Sequence, residues 1–491
     1  MVLNRVVMTA DAEPPSCGDL IAENASLRRR VAQLEQRVAE LEERVVELEA
    51  ALRAALAQVE AARRAGKRQA APFSKGPPKE NPQRPGQKAG HPAAQREKPE
   101  RVDRILDVKL THATCLKCGG NLVGHTIQVQ YQVEIPPVTP IVTQFNIESA
   151  RCAQCGERYQ ARHPEQTSDA LGAAAVQIGP RALGLAAEFK HGLGVPYRKV
   201  EHVLSEALGL RMAPGTLARA GHRLATKAAP TYQLLISTLR SEAVVNGDET
   251  GWKVAGRNAW LWVFSSTGLT VYVIDPRRSH EVAERILGTD FAGILSCDCF
   301  LAYDALPYRQ HKCTGHLLRR CAEIQADKTG AAAVVSLRVA RLLRGAMTLR
   351  ERRERLGEAR YQRACQRLEA ALDRLLEAEQ TDPDNARLVK LLRKHRGQLF
   401  TFLYVEGLAP TNNAAEREIR PAVVVRKTSG GNRSDRGAQT HAVVTSMIRT
   451  CQKQGHDFVE AAVQLLRQRN PVALPLMSAG AARPPAIARG P

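Results

Sequence analysis

Leu20, Leu27, Leu34, Leu41 and Leu48 recur at a period of seven, and Asn24, Val31, Val38, Val45 and Leu52 stand four residues beyond them. A heptad with Leu at d and mostly β-branched residues at a predicts a parallel two-stranded coiled coil over residues 18–62. The facing g–e pairs Glu23–Arg28, Arg30–Glu35, Arg37–Glu42 and Arg44–Glu49 are all attractive. Asn24 at an a position costs stability but fixes register and chain number, so a homodimer or higher oligomer is expected. The competing reading is a lone amphipathic helix packed on its own protein. Residues 63–105 carry few apolar side chains among Pro, Gly, Lys and Arg, which predicts a flexible basic linker, either tracking phosphates or simply solvated.

Period-two alternation then appears in Thr126–Tyr131 and Ile141–Phe145, bounded by Pro136, Pro137 and Pro140, and predicts paired strands within a module at 106–165. Beyond Thr167 the pattern turns helical. Tyr197–Leu208 ends at Gly209, a turn holds Pro214 and Gly215, and a second helix runs from Thr216 toward Lys227. This predicts a helix-turn-helix-like region at 166–240, in which Arg219 and Arg223 either reach DNA or form a solvated face. Val244–Asp248, Ala259–Phe264 and Leu269–Ile274 read as three strands. A helix at Ser279–Leu287 follows, and Gly293–Asp298 is a fourth strand. Val335, Val339, Leu342 and Leu343, then Leu368, Leu372, Leu375 and Leu376, repeat at helical spacing and predict a helical hairpin within an insertion at 322–397. It divides an α/β domain into 241–321 and 398–460, whose last part opens a helix with Thr411 as its N-cap and Glu416 in the first turns. Residues 461–491 read as a tail. The fold class is multidomain α+β.

Charge narrows the partner. Lys and Arg number 71 against 50 Asp and Glu, a net +21, which makes a polyanion the first hypothesis and nucleic acid the best fit, ahead of anionic lipid or mere solubility. No run approaches the roughly 20 apolar residues of a membrane span. The Ala-rich stretch Ala173–Ala187 is broken by Gly179, Pro180 and Arg181, and Asp11, Glu13, Pro14 and Pro15 sit where an export signal is apolar. A cytoplasmic, nucleoid-associated protein is expected, with no membrane partner. Cys115-x-x-Cys118-Gly119 and Cys152-x-x-Cys155-Gly156 have the spacing of two zinc knuckles. Four thiolates leave no open coordination place, so one structural Zn²⁺ in a zinc ribbon is expected; a redox role is the weaker reading, without a surrounding βαβ pattern. Gly192-Leu193-Gly194 lacks the rest of a dinucleotide fingerprint and no phosphate-binding P-loop occurs, which argues against a nucleotide-driven motor.

Asp248 and Asp298 each end a predicted strand and can meet at a sheet edge. Singly, such residues are usually turn formers, and a Glu near a helix start usually serves the helix dipole. In combination, Asp248-Glu249-Thr250-Gly251-Trp252, Asp298 with Ala302-Tyr303, Cys313 and His316 with Arg319-Arg320, and Asn412-Asn413 with Ala415-Glu416-Arg417 and Arg420 resemble the insertion-sequence sixty-six family of transposases. The resemblance runs from the zipper to about Phe458 and includes Pro85-Gly86-Gln87-Lys88-Ala89-Gly90-His91-Pro92 and both knuckles. Departures are Thr314 and Gly315 before the histidine and the lack of a proline after the first cysteine.

That resemblance implies a ribonuclease-H-like catalytic domain with Asp248, Asp298 and Glu416 as its triad, holding two Mg²⁺ or Mn²⁺ ions for cleavage and strand transfer at the element's ends. It places His316, Arg319 and Arg320 near the scissile phosphate. Asn412 and Asn413 either orient Glu416 or contact DNA, and Arg417 and Arg420 join the DNA-binding set. Arg338, Arg341, Arg344, Arg352, Arg353 and Arg355 of the insertion either grip the DNA end or form a solvated face. Gly430, Gly431, Arg433 and Arg436 form a phosphate-binding loop or a plain turn. Cys297 and Cys299 flank Asp298 but point to the opposite face. Partners are DNA, a second copy and companion proteins of the same element. The main alternative is a dimeric zinc-ribbon DNA-binding regulator derived from a transposase, without catalysis, and a third reading is a structure-selective nuclease.

Overall fold

The structure, a computed structural model, describes residues 17–66 and 96–475. Most of the predicted basic linker and the end of the predicted tail lie outside the described residues. The chain divides into two units, 1–94 and 95–491. In the first, Cys17–Gly66 forms one continuous helix, α1, of 50 residues. Leu20, Leu27, Leu34, Leu41 and Leu48 are each more than half exposed on it. An uncovered apolar seam this long is what a heptad leaves on a single chain.

The second unit opens with two short strands, β1 (Ser149–Arg151) and β2 (Arg158–Gln160), paired antiparallel around the second knuckle. The strands expected at Thr126–Tyr131 and Ile141–Phe145 are not formed. Ile127 and Ile141 are almost fully exposed, so the alternation has no buried face to serve, and alternation specifies a strand only where one face is covered.

Helices α2 (Pro180–Ala187), α3 (Tyr197–Leu208) and α4 (Pro214–Arg240) follow. Gly209 closes α3 in the left-handed conformation, as its place in the pattern suggested. The second helix does not stop near Lys227. It continues through Pro230 to Arg240, because Leu235, Ile236 and Leu239 are buried beyond the proline. An interior proline costs about 3 kcal/mol, whereas burying those three side chains is worth roughly 1.5–3 kcal/mol each.

The central sheet contains β3 (Val244–Val254), β4 (Arg257–Ser265), β5 (Thr270–Asp275), β6 (Ile294–Cys297) and β7 (Arg309–Lys312) in the order β5-β4-β3-β6-β7. The first three form an antiparallel meander; β6 runs parallel to β3, and β7 parallel to β6. Helix α5 (His280–Leu287) joins β5 to β6, and the short α6 (Leu301–Asp304) lies between β6 and β7. β3 continues six residues past its expected end at Asp248, since Trp252 and Val254 alternate into the core.

After β7 come α7 (Thr314–Asp327), α8 (Ala331–Glu351), α9 (Arg353–Leu356), α10 (Glu358–Glu377), α11 (Pro383–Lys394) and α12 (Thr401–Tyr404). Their common core runs from Leu317 to Leu408, wider than the 322–397 expected, because α7 and the segment after α11 contribute buried side chains of their own. Helices α13 (Asn413–Ser429), α14 (Asp435–Gln454) and α15 (Phe458–Arg467) then return to the sheet. α15 buries Ala462, Leu465 and Leu466 in the main core, and Val472 and Leu474 pack against it, so 461–475 is not tail but core. Among the described residues no helix is long and apolar enough to cross a membrane.

Candidate active site

Register places the first two acids. In the parallel pair β3–β6, Asn246 stands opposite Ser296, so carrying the register two residues further brings Asp248 beside Asp298 with the same side-chain parity. Gly247 permits this close pairing: a Cβ there would come 3.1 Å from Leu295 Cδ1 on β6. Asp248 Oδ1 accepts the Glu249 N–H at 2.8 Å, and Asp298 Oδ1 accepts the Phe300 N–H at 2.9 Å. Burial and the neighbouring charge of Glu249 push the Asp248 carboxyl up to about 7, with Asp298 adding to the rise. A carboxyl raised chiefly by burial, with two neighbouring carboxylates adding to the rise, is one that nearby positive charge would bring back toward its ordinary range.

Helix α13 brings the third acid over the same face. Trp252, Val254, Leu261, Val263 and Tyr272 form this face and pack against Ala415, Ala422 and Val425 of α13. Two polar pins fix the helix to β3. Asn412, fully buried, donates from Nδ2 to the Gly247 carbonyl at 2.8 Å, one residue before Asp248. At the other end Arg426 Nη1 donates to Thr250 Oγ1 at 2.9 Å and to the Gly251 carbonyl. Asn412, not Thr411, is the N-cap residue; its side chain caps nothing in its own helix and is spent on β3 instead. The Asn412 amide is thus held inside, against β3, and is not presented at the surface.

Glu416 Oε1 lies 3.9 Å from His316 Nε2, with both side chains about a third exposed. His316 sits in the first turn of α7, whose N-cap is Cys313. The Asn412 N–H donates to Cys313 Sγ at 3.1 Å, tying the starts of α7 and α13 together. Burial pushes the Cys313 thiol up, but the neighbouring His316 imidazole and the Asn412 N–H outweigh it and leave it below its ordinary range; the thiol in turn raises His316. Arg319, Arg320, Asn413, Arg417 and Arg420 are exposed, and the four arginines have no ion-pair or side-chain hydrogen-bond partner among the described residues.

The opposite face of β3 holds a group that the sequence reading passed over. Glu249 is buried there, accepting hydrogen bonds from Tyr303 Oη at 2.7 Å and from Arg278 at 2.8 and 3.1 Å. The Arg278 guanidinium lies 4.3 Å from the Trp260 ring centroid and 3.9 Å from that of Phe300. The signal was present in the consecutive acids Asp248-Glu249: strand neighbours face opposite ways, so the second needed a partner of its own. Cys297 is buried and Cys299 half-buried beside this region, and burial pushes both thiols up.

The loop at Gly430 and Gly431 packs against the end of β3, with Arg433 and Arg436 exposed. Position 431 must be glycine, since it adopts φ 104° and a Cβ there would fall on the Lys253 carbonyl, while Asn432 accepts from Trp252 Nε1 at 2.8 Å. In each knuckle the first cysteine's N–H and carbonyl close a tight turn: Cys115 with Gly120 and Gly119, Cys152 with Glu157 and Gly156, all at 2.8–2.9 Å. Backbone N–H groups, chiefly those of Lys117 and Cys155, hold the Cys115 and Cys152 thiols below their ordinary range. Among the described residues no three His, Cys, Asp or Glu side chains converge closely enough to form a ready metal cage, so neither the four cysteines nor the three acids are gathered into one.

The family model described as "Transposase IS66 family" matches residues 175–440, which span the sheet, the helical insertion and all three acids. Two proteins of Sinorhizobium fredii (strain NBRC 101917 / NGR234) are similar to the chain. Uncharacterized protein y4jD is 27% identical over 282 residues, 51% of this chain and 54% of its own length. Uncharacterized protein y4qI is 25% identical over 237 residues, 42% of this chain and 43% of its own length. The chain thus spans about half the length of the curated relatives it matches. With the family match covering more than half of it, the chain belongs to the IS66 family of transposases.

Proposed function

We propose that the chain is a DNA transposase that binds the ends of a mobile element and cuts and rejoins DNA at Asp248, Asp298 and Glu416. The observation that carries the reading is the registered neighbourhood of Asp248 and Asp298 at the β3–β6 edge, with α13 pinned across it by Asn412. Three antiparallel strands followed by two parallel ones, with acids on the first and fourth and on a helix after the fifth, supports a ribonuclease-H-like domain split by the helical insertion.

The donor set suits hard divalent cations. All three candidate ligands are carboxylates, and the raised Asp248 carboxyl would be relieved by positive charge. When bound, Mg²⁺ or Mn²⁺ would activate a water or DNA 3′-hydroxyl and stabilise the leaving oxygen. The chain's own residues provide the frame. Asn412 holds α13 in place, His316 faces Glu416, and Arg319, Arg320, Arg417 and Arg420 supply unpaired positive charge for DNA phosphates. Asn413 stands exposed beside them. Hydrolysis and strand transfer use the same frame, since only the attacking oxygen changes.

The knuckles support one structural Zn²⁺ on Cys115, Cys118, Cys152 and Cys155, because each turn aims backbone N–H groups at its first thiol. The exposed heptad seam of α1 supports pairing with a second copy.

The test is incubation of the purified chain with labelled element ends and Mg²⁺ or Mn²⁺, beside Asp248→Ala, Asp298→Ala and Glu416→Ala. The expected result is metal-dependent nicking or joining that all three substitutions abolish. Tight binding of the ends without reaction in the presence of metal and companion proteins would favour the non-catalytic regulator.

A further inference from the structure

Between α8 and α10 of the insertion lies an open groove of about 550 Å³. Leu342, Leu368 and Leu375 form its apolar floor, each packed against the insertion core yet left half-buried. Arg338 and Arg341 stand on the α8 rim and Arg374 on the α10 rim, all three exposed. None of these arginines has an ion-pair or side-chain hydrogen-bond partner among the described residues. Elsewhere in the same insertion Arg353, Arg387 and Arg396 are paired with Glu358, Asp384 and Asp373, and Arg393 donates to the Leu376 carbonyl. Arg338, Arg341 and Arg374 therefore stand on the two rims of an open apolar floor with their charge free to meet an anion.

Gly345 keeps the groove open. It sits within α8, where glycine costs about 1 kcal/mol relative to alanine. A Cβ there would make only an ordinary 3.7 Å contact with Leu368 Cδ2, so packing alone does not demand glycine. A larger side chain would fill the groove.

We propose that this groove receives an unpaired nucleotide, its base on the leucine floor and its flanking phosphates on Arg338, Arg341 and Arg374. An apolar slot under planar guanidinium groups suits a base that has left its stack, because guanidinium stacks on the π-face and forks to phosphate. Duplex DNA presents phosphates but no apolar surface that could enter such a slot. The net charge of +21 favours this polyanion over an acidic helix, which would need the groove but not the stacking plane. The proposal rests on the DNA-processing reading above and adds a site for an unstacked base to it.

The experiment uses the full chain with two DNA probes, a blunt duplex and the same duplex carrying a short single-stranded overhang with 5-iododeoxyuridine. Binding of both is measured by fluorescence anisotropy, and photo-crosslinked peptides are identified by mass spectrometry. The overhang should crosslink to α8 or α10. Gly345→Phe should weaken the overhang's advantage over the blunt duplex by roughly 5- to 150-fold, the worth of one stacked base. Gly345→Ala should leave it unchanged, and the exposed Arg374→Glu should reduce it without altering the melting temperature. Crosslinks elsewhere, or an advantage indifferent to Gly345→Phe in a folded variant, overturn the proposal while blunt-duplex binding persists, and leave the groove to a protein partner. Failure of the wild type to bind either probe overturns both this site and the DNA reading.

Discussion

Replacing Asn412 by alanine separates the position of Glu416 from its chemistry. The Asn412 amide is fully buried and its Nδ2 reaches the Gly247 carbonyl at 2.8 Å, a direct polar link between the start of the third acid's helix and the first acid's strand. Removing it leaves that carbonyl without its side-chain donor in a buried place, at a cost of about 1–3 kcal/mol. The larger consequence concerns geometry. Glu416 lies one helical turn beyond Asn412, and its N–H bonds to the Asn412 carbonyl at 3.2 Å, so a shift of the N-cap carries the carboxylate with it. Loss of a residue that orients a metal ligand typically costs 10–100-fold in metal affinity or activity. The Mg²⁺ concentration for half-maximal nicking should therefore rise about 10- to 100-fold in Asn412→Ala. Asn412→Asp keeps the shape but replaces the donor with an acceptor and adds charge beside Asp248, and should be no better. Nicking is followed across a Mg²⁺ titration, with thermal unfolding as the parallel measurement. If Asn412→Ala lost stability while its Mg²⁺ dependence stayed at the wild-type value, the pin would hold the fold together and not position Glu416.

Three further outcomes are expected. His191 and His441 are buried with their Nδ1 atoms 3.0 Å apart; burial holds His441 at about 3 and His191 well below its ordinary value. The unfolded chain then binds more protons below about pH 6.5, so stability falls with acid, on the order of 2 kcal/mol between pH 6.5 and 5 from His441, with His191 acting in the same direction; melting curves of His441→Gln should fall less steeply over that range, and an unchanged slope would remove these histidines from the account. Arg278→Lys should destabilise by roughly 1–3 kcal/mol in denaturant titrations although charge is kept, because lysine cannot fill the slot between Trp260 and Phe300 while forking to Glu249; a neutral result would show the aromatic sandwich to be dispensable. Elemental analysis of the purified chain should find one Zn²⁺ per chain, lost in Cys115→Ser and in Cys152→Ser alike, and loss in only one of them would show that the knuckles do not share a metal.

What the sequence disclosed and what it hid divide along physical lines. β4, β5, α5 and β6 were legible because their apolar runs are local and bounded by turn residues, and Gly209 announced the end of α3. β3 was cut short because Gly247-Asp248-Glu249-Thr250-Gly251 has the composition of a turn. Only the partner strand β4, opposite every residue from Asn246 to Val254, shows that the stretch is extended. The strands expected before the second knuckle failed for the converse reason, a local alternation with nothing to cover it. α4 outran its proline because burial distant in sequence outweighed a local penalty.

The same division runs through the site. Residue types and order, read through the family resemblance, were enough to nominate Asp248, Asp298 and Glu416, although Asp248 lies inside β3 and not at its end. Their relation to one another rests on long-range facts that no local pattern carries. The β3–β6 register is set by residues about 50 positions apart, and the Asn412–Gly247 bond closes a loop that includes the whole helical insertion. That bond also shows how an insertion of this size is tolerated beside the β3–β6 edge. α7, the first helix of the insertion, and α13, the helix that follows it, begin side by side, joined by the Asn412 N–H on Cys313 Sγ and by the Thr314 N–H on the Pro410 carbonyl at 3.0 Å. Chain entering and leaving at one point imposes no separation on the elements on either side, so the insertion is free to develop its own core and its own groove while the three acids keep their places.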